Sequence, residues 1–280
     1  MHDTRVRRFA AKFFIYLFLF VVCFIAFLPY LWMVRSSFME IKQMYRVPTE
    51  WIPNPFTMDN FVAAVEETHM FDYLINTLFI VVMNVVGMAL TASMAGYAFA
   101  RLNWKGRDVM FMLVISALML PYVVTMIPVY VGWSKVGGID TYWPLILQAF
   151  LGGGAYRIFL IRQFMKGIPH ELDEAATIDG AGKIRIFFNI IMPLAKSSII
   201  VAGILCFRDT WNDFLGQLLY INSESKYTVS LSLQSLQGSY SSRWNLIMAA
   251  SAIAVLPCVI VFLLGQKHII GGIAISGIKG

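Results

Sequence analysis

The sequence predicts an all-α membrane protein with six transmembrane helices, and its composition is the first reason. Hydrophobic residues make up 59% of the 280 positions and charged residues only 14%, about half the charged fraction of an ordinary soluble domain. Six segments are predominantly apolar and close in length to the roughly 20 residues that a helix needs to cross about 30 Å of hydrocarbon. No soluble domain fits between them, so we expect residues 1–280 to form a single membrane domain.

The first apolar run follows a basic N-terminus, a feature that it shares with secretory signals. The run from Phe13 to Val34 exceeds the roughly 7 to 15 residues of a signal core, and no small-x-small cleavage pattern follows it. We therefore expect a span here and at five later places. The predicted spans cover about residues 13–34, 74–100, 109–131, 142–161, 197–220 and 246–265.

Two of these spans contain residues that alter helix geometry. Pro121 and Pro128 in the third span each remove a backbone hydrogen bond and predict kinks, which serve either packing or a rocking motion. The run Gly152, Gly153, Gly154 in the fourth span predicts the close approach of a neighbouring helix.

The distribution of Lys and Arg predicts the orientation of the spans. Fourteen of these residues, among them Arg5, Arg7, Arg8 and Lys279, flank the spans on one side, and six flank them on the other. The side richer in Lys and Arg normally faces the cytoplasm, so we expect both termini there. The net charge of +6 is accounted for by these flanking residues. They form no patch interleaved with aromatics, so no nucleic-acid partner is expected.

The three cysteines predict no metal site. Cys23, Cys206 and Cys258 all lie in apolar stretches, and none has a metal-ligand spacing to another Cys or a His. We expect them to behave as small hydrophobic side chains.

The connection between the fourth and fifth spans is unusual in being both long and patterned. Pro169 is followed by Glu171, Asp173 and Glu174, acidic residues that the positive end of a helix dipole favours, so a helix from about 170 to 179 is predicted. Gly180 and Gly182 break this helix, and a second amphipathic stretch runs from 183 to 193. These features fit either a compact knob that enters a cleft on another protein or a loop that lies on the lipid headgroups.

A resemblance favours the first alternative. Glu174-Ala175-Ala176 is followed by Gly180 six positions after Glu174, by Ile190 after sixteen and by Pro193 after nineteen. This spacing resembles the EAA loop of ABC import permeases. The segment as a whole, together with Trp211-Asn212-Asp213-Phe214 and the end of the chain at Gly277-Ile278-Lys279-Gly280, is similar to the MalG-like carbohydrate permeases.

The resemblance implies a role for each residue of the EAA loop. In that family the loop forms a coupling helix that enters a cleft on a separate ATPase subunit. By position, Glu174 would pair with a basic residue of the ATPase, and Ala175 and Ala176 would allow close approach. Gly180 would supply the bend, and Asp179 would cap the helix or make a second polar contact.

One segment resembles part of a nucleotide-binding motif but does not match the full pattern. Gly180-Ala181-Gly182-Lys183 looks like part of a phosphate-binding loop, but Thr177 stands where its first glycine should be, and Ile184 follows the lysine instead of Ser or Thr. We expect no catalysis and no bound cofactor in this chain. ATP and Mg²⁺ would belong to separate ATPase subunits.

The fifth span carries ionisable residues, which are costly in a membrane and tend to face a cavity or one another. In one continuous helix from 197 to 220, one stripe would hold Arg208, Asp209, Asn212 and Asp213, with Gln217 extending it. This stripe would hydrogen-bond sugar hydroxyls, with Trp211 stacking on a pyranose ring, or it would brace the helix against a partner permease. Arg208 and Asp209 depart from the uncharged residues usual in the family and are candidates for substrate-specific contacts.

Three further polar residues lie in the third and fourth spans. Tyr122 and Gln148 are candidates for the lining of a substrate path. Arg157 is expected to extend its side chain toward the cytoplasmic surface, as long basic side chains in spans do.

The function that these residues and the resemblance imply is that of the permease subunit of an ATP-driven importer in a bacterial or archaeal cytoplasmic membrane. Its implied partners are a homologous second permease, two copies of an ATPase subunit, an extracytoplasmic binding protein that delivers a sugar or oligosaccharide, and membrane lipid. One alternative keeps this machine but transports glycerol phosphate. The other is an ion-coupled secondary transporter that uses Asp209 and Asp213 as coupling carboxylates.

Overall fold

A computed structural model of the chain describes residues 2–239 and 243–277, and the side chains of residues 11–238 and 243–268. Throughout these described ranges the regular secondary structure is helical. The side chains of Arg5, Arg7 and Arg8 and the tail residues 278–280, including Lys279, lie outside the described residues. The parts of the orientation prediction and of the resemblance that rest on them stay predictions.

The α-helices differ widely in length, from single turns to helices of more than 30 residues. In chain order they are α1 (His2–Ser37), α2 (Ile41–Met44), α3 (Asp59–Glu66), α4 (Met70–Arg101), α5 (Arg107–Ser116), α6 (Tyr122–Lys135), α7 (Trp143–Phe150), α8 (Ala155–Lys166), α9 (Glu171–Ile178), α10 (Lys183–Ile186), α11 (Met192–Leu194), α12 (Lys196–Trp211), α13 (Leu215–Tyr220), α14 (Val229–Ser239) and α15 (Trp244–Gly277). Short 3₁₀ turns occupy Ala117–Met119 and Glu224–Lys226, and a π-helical turn occupies Phe187–Ile191.

Within the part of the chain that the structure describes, four helical segments are long and apolar enough to cross a membrane. They are Ala11–Ser37, Met70–Arg101, Trp143–Lys166 and Trp244–His268. Two bent helix pairs bring the number to six if each pair is one span. The most apolar stretch of Ala11–Ser37 has no buried residue, so this helix presents apolar side chains on all faces, as a helix surrounded by lipid does.

The predicted third span is broken and not merely kinked. Arg107–Met119 and Tyr122–Lys135 meet at an angle of 101°, at the point where Pro121 lacks an N–H and disfavours helix in the residue before it. The kink expected at Pro121 is therefore confirmed and is larger than a simple bend. Pro128 lies inside α6, which continues past it.

The prediction of one continuous helix from 197 to 220 is wrong. α12 ends at Trp211 and α13 begins at Leu215. Asn212 Nδ2 donates to the Arg208 carbonyl at 2.8 Å, and Asp213 Oδ1 accepts from the Gly216 backbone N–H at 2.9 Å. Short polar side chains that bond the nearby backbone in this way favour helix ends over helix interiors.

The chain forms two compact units, the first built from the residues up to Met70 together with Ser235–Val255. Within this unit, Asn60 Nδ2 donates to the carbonyls of Ser37 and Met39 at 2.8 and 2.9 Å. Glu67 pairs with Arg243 at 2.6 Å. These contacts hold the segment after α1 in a defined conformation although it contains little regular structure.

The second unit, Phe71–Gln234 with Leu256 onward, contains the larger core. Met88 and Ala92 of α4 are fully buried there, as are Ile161 and Met165 of α8. Ile186, Phe187 and Ile191 join the same cluster. The segment after α9 is therefore an integral part of this core, and the unit supplies a rigid support for it.

A polar contact fixes the loop that follows α13. Asp140, at a φ of 58°, accepts from the backbone N–H groups of Asn222 and Ser223 at 3.0 and 2.9 Å and from Lys226 Nζ at 2.9 Å. The Ser223 hydroxyl donates to Asp140 Oδ2, the oxygen that Lys226 also contacts, at 2.5 Å. These bonds, with those from Ser223 foremost, hold the pKa of the Asp140 carboxyl well below its usual range.

Replacement of Asp140 by Asn is expected to accelerate hydrogen exchange at the Asn222 and Ser223 amides. In the wild type, this protection should be fully present above the ordinary carboxyl pKa of 3.8 and be lost only as the pH falls through the lower folded value. Exchange mass spectrometry of the 221–226 segment measures both effects. Unchanged exchange in the variant would show that the carboxylate does not hold this loop.

Candidate functional site

The segment after α8 folds as a helix, a sharp turn and a second helix. The predicted helix from about 170 to 179 is present as α9, with Glu171, Asp173 and Glu174 in its first turn. Gly180 has a φ of 82° and ends the helix, as predicted, because this left-handed conformation suits a residue without Cβ. The amide of Ala181 then donates to the Ala176 carbonyl at 2.9 Å, and α10 starts at Lys183.

One face of α9 is fastened to the rest of the unit. Arg101, the last residue of α4, lies with Nη1 3.3 Å from Asp173 Oδ2, and its side chain is 1% exposed. Its Nη2 donates to the Ile168 carbonyl at 2.7 Å. Ala176, one turn beyond Asp173, packs into the hydrophobic core and is 8% exposed.

The opposite face of α9 is open. Glu174, Ala175 and Asp179 are exposed, and Ile178 is 86% exposed. This arrangement corrects one expectation: Ala176 was predicted to allow close approach of a partner, but its small side chain allows close packing against this chain's own core. Of the two alanines, only Ala175 lies on the open face, beside Glu174.

The second half of the segment, after Gly180, also has one buried face and one exposed face. Ile186, Phe187 and Ile191 are buried, whereas Ile184 is 75% exposed and Phe188 is 45% exposed. Tyr97 of α4 donates through its hydroxyl to the Lys183 carbonyl at 3.2 Å. The segment therefore combines a firmly packed inner face with an outer face that carries both acidic and apolar side chains.

A second feature of this unit is a cavity of about 600 Å³. Its walls come from α4, α6, α7, α8, α12 and α13. Four residues that the sequence singled out for a substrate path contribute to its lining: Tyr122, Gln148, Asp209 and Asp213. Sequence reasoning did not select several other polar lining residues, which are Asn84, Thr125, Arg157, Thr210 and Tyr220.

The break between α12 and α13 removes three predicted residues from the cavity lining. Trp211 is 3% exposed and stacks on Phe207 with ring centroids 5.4 Å apart, so a sugar has no access to its ring in this structure. Asn212 bonds back to α12, and Arg208 extends a side chain that is 66% exposed and pairs with Asp209 at 2.9 Å. Gln217, expected to extend the stripe, does line the cavity.

Arg157 occupies a different place from the one expected. Its Nη2 lies 2.9 Å from Asp209 Oδ2, and its Nη1 donates to the Gly153 carbonyl at 3.0 Å. The expectation that it extends to the membrane surface is wrong, because a carboxylate on a neighbouring helix is within reach and pairing lowers the cost of burying both charges. Charged side chains in membrane spans tend to pair with one another, so the presence of Arg157 and Asp209 in two apolar segments was the sequence signal for this pair.

The glycine run that precedes α8 allows the close approach that the sequence predicted, although it forms a turn and not a helix. Gly152, Gly153 and Gly154 all have positive φ. A Cβ on Gly153 would lie 3.0 Å from Met88 Cα and 3.2 Å from Ala92 Cβ. The turn thus packs directly on α4, and it places its carbonyl where Arg157 binds.

Replacement of Gly153 by Ala is expected to destabilise the protein by about 2–4 kcal/mol, the sum of left-handed strain and overpacking. The matched control is Gly106→Ala, because Gly106 also has a positive φ but an added Cβ would meet no atom within 4 Å. The control should cost only about 1–2 kcal/mol. Thermal unfolding of the detergent-purified protein compares the two variants, and equal midpoints would contradict the close approach at Gly153.

Comparison with known proteins places these features in a family. The profile of the family described as the binding-protein-dependent transport system inner membrane component matches residues 88–274, a range that includes α9 and most of the cavity lining. The chain belongs to this family. The resemblance to ABC import permeases is thereby confirmed.

Curated relatives of this inner membrane component match along most of its length. The arabinooligosaccharides transport system permease protein AraQ of Halalkalibacterium halodurans is 33% identical over 92% of this chain and 93% of its own. A probable starch degradation products transport system permease protein, AmyC of Thermoanaerobacterium thermosulfurigenes, is 31% identical over 90% of this chain and 91% of its own.

A solved structure shares the fold. A bacterial ABC transporter involved in the import of the acidic polysaccharide alginate contains a chain that superposes with a TM-score of 0.80. The match covers 93% of this inner membrane component and 96% of that chain, at 21% identity.

Proposed function

We propose that this chain is the permease subunit of an ATP-driven importer that takes up a sugar or oligosaccharide delivered by an extracytoplasmic binding protein. The observation that carries the proposal is the pairing, within one compact unit, of a polar cavity of about 600 Å³ with the open acidic face of α9. The named cargoes of AraQ and AmyC support a carbohydrate. A cavity of this volume falls within the range that small-molecule sites occupy.

In this proposal, α9 with the segment to Pro193 is the coupling helix. Glu174 meets a basic residue of the ATPase, Ala175 allows the two surfaces to approach, Asp179 adds a polar contact and Gly180 holds the bend. The ATPase subunits, two copies of them, bind ATP and Mg²⁺ and carry out the hydrolysis. The buried contact of Arg101 with Asp173 supports transmission of force from α9 into α4, because a loosely held helix would move without moving the span.

The proposed topology places both termini and α9 in the cytoplasm, with α9 between the fourth and fifth of six spans. The complex lies in the cytoplasmic membrane of a bacterium or archaeon, and a homologous second permease completes the path. ATP-driven closure of the ATPase pair pulls both coupling helices and opens the permeases outward to receive solute. Hydrolysis then returns them inward, so that access alternates.

The test is reconstitution of the complete complex in proteoliposomes with its binding protein. Uptake should require ATP on the ATPase side, be inhibited by vanadate and survive a protonophore at constant ATP. ATP hydrolysis should rise when the loaded binding protein is added. Uptake that a protonophore abolishes at constant ATP would instead favour ion coupling through Asp209 and Asp213, an alternative that membership of a binding-protein-dependent family already disfavours.

A further inference from the structure

The cavity is short of positive charge that a ligand could use. Among the residues that the structure describes, its charged lining consists of one guanidinium, Arg157, and two carboxylates, Asp209 and Asp213. The guanidinium is engaged through both terminal nitrogens, with Asp209 at 2.9 Å and with the Gly153 carbonyl at 3.0 Å. A ligand in the cavity therefore meets a cation whose two terminal nitrogens already have partners, whereas its Nε is buried without one among the described residues.

Asp209 is the centre of this arrangement because it engages a second guanidinium. Arg208 reaches its Oδ1 at 2.9 Å from outside the cavity lining, while Arg157 reaches its Oδ2 from within. One carboxylate thus contacts both guanidinium groups and competes with a ligand for them. Removal of its charge would release two cations at the edge of the cavity.

Asp213 differs from Asp209 in having no arginine partner in the described ranges. Its Oδ1 accepts from the Gly216 backbone N–H at 2.9 Å, and within the described part of the chain no basic side chain forms an ion pair with it. It lines the cavity as a carboxylate with remaining acceptor capacity. An anionic ligand would be repelled by it, and at an effective dielectric constant near 20 a unit charge about 10 Å away changes affinity roughly tenfold.

The neutral polar lining can both donate and accept hydrogen bonds, as sugar hydroxyls require. Its potential donors are the side chains of Tyr122, Trp133, Gln148 and Tyr220, and two of its acceptors are held in place by bonds within the unit. Asn84 uses its Nδ2 to donate to the carbonyls of Ile80 and Leu145 at 2.9 and 3.0 Å, which leaves its Oδ1 as an acceptor. The Thr125 hydroxyl donates to the Tyr122 carbonyl at 3.0 Å and retains its lone pairs. Together with Asp213, these acceptors suit the hydroxyl groups of a sugar, whereas a carboxylate, phosphate or sulfonate offers them no proton.

We infer that this cavity selects uncharged oligosaccharides and excludes acidic ones, and that Asp209 and Asp213 are the residues that set this selectivity. The inference rests on the proposed function, and it separates this chain from a carrier of glycerol phosphate or of uronate oligomers. Asp209 acts by holding Arg157 and Arg208, and Asp213 acts by direct repulsion of an anion.

Direct binding to the nucleotide-free complex in nanodiscs, without the binding protein, tests the inference. The probes are matched pairs that differ only in oxidation at C6: β-1,4-mannotriose with trimannuronate, and α-1,4-galactotriose with trigalacturonate. Calorimetry should show the tightest binder to be a neutral trisaccharide, with its acidic counterpart at least about tenfold weaker. Equal or tighter binding of the acid, or no binding by either pair, would overturn the inference.

Two variants and one control test whether Asp209 and Asp213 set the preference for neutral over acidic trisaccharides. Asp209→Asn should raise affinity for the acidic trisaccharide at least about tenfold through release of the arginines, and Asp213→Asn should raise it severalfold. The control Asp59→Asn removes an exposed carboxylate of the first unit and should leave the ratio unchanged. An unchanged ratio in both cavity variants would overturn the assignment.

ATP hydrolysis stimulated by the binding protein, measured on the same preparations, separates this inference from the proposed function. Stimulation without discrimination between neutral and acidic trisaccharides would remove the inference alone. Absence of stimulation in the wild type would count against the proposed function itself.

Discussion

Replacement of Glu174 and Gly180 together by alanine is expected to uncouple uptake from ATP hydrolysis while the permease stays folded. Glu174 is exposed, so its removal leaves no buried group without a partner. Gly180 has a φ of 82° with no atom within 4 Å of an added Cβ, so alanine there costs only about 1–2 kcal/mol of backbone strain. The altered bend and the missing charge together should disconnect α9 from the ATPase.

The measurement is the solute taken up per ATP hydrolysed by proteoliposomes that contain the whole complex. We expect this ratio to fall at least about tenfold, within the range of typical coupling free energies. The matched control is Glu171→Ala with Gly182→Ala, because Glu171 is an exposed acid of the same helix and Gly182 has an ordinary φ of −72°. Equal losses in the two double variants would contradict a specific role for Glu174 and Gly180.

The second large effect is expected at Arg101. Its guanidinium is almost completely buried and contacts both Asp173 and the Ile168 carbonyl. Replacement by Gln removes the charge partner of Asp173, and loss of one member of a buried pair costs about 3 kcal/mol. We expect a lower unfolding midpoint, faster proteolysis near α9 and a lower ratio of uptake to hydrolysis.

A double variant distinguishes the ion pair from simple packing. In Arg101→Gln, the further change Asp173→Asn should restore part of the lost stability, because it removes the carboxylate left without its partner. Arg107→Gln is the control, since Arg107 contacts an exposed neighbour, Asp108, and should lower the unfolding midpoint much less than Arg101→Gln does. Additive losses at Arg101 and Asp173 would contradict the pair.

The helix–turn–helix form of the 171–193 segment was predictable because its signals are local. Acidic residues at the start of α9 and a glycine at its end act within one helical turn. The division of the segment into a buried inner face and an exposed outer face was not predictable from the sequence. It depends on Arg101, which lies 72 positions before Asp173. The burial of Ala176 follows from that contact.

The prediction of the fifth span as one continuous helix was wrong because single hydrogen bonds outweighed the average apolarity of the segment. Mean apolarity over 197–220 indicates a helix, but the competition between helix and side-chain bonding at Asn212 and Asp213 is decided by single hydrogen bonds. Once the helix ends there, Trp211 packs on Phe207 and the stripe of polar residues divides. The Arg157–Asp209 pair required knowledge of which helices are neighbours, although the presence of both charges in apolar segments indicated that each needed a partner.

The claim that α9 is the coupling helix is tested most directly by photo-cross-linking in the assembled complex. A photoreactive amino acid at Ile178, which is 86% exposed on the open face, should form an adduct with the ATPase subunit. The same amino acid at Val47, an apolar residue of the first unit that is 94% exposed, should form none. An active complex in which Ile178 gives no adduct, or in which Val47 gives as much, would contradict the account.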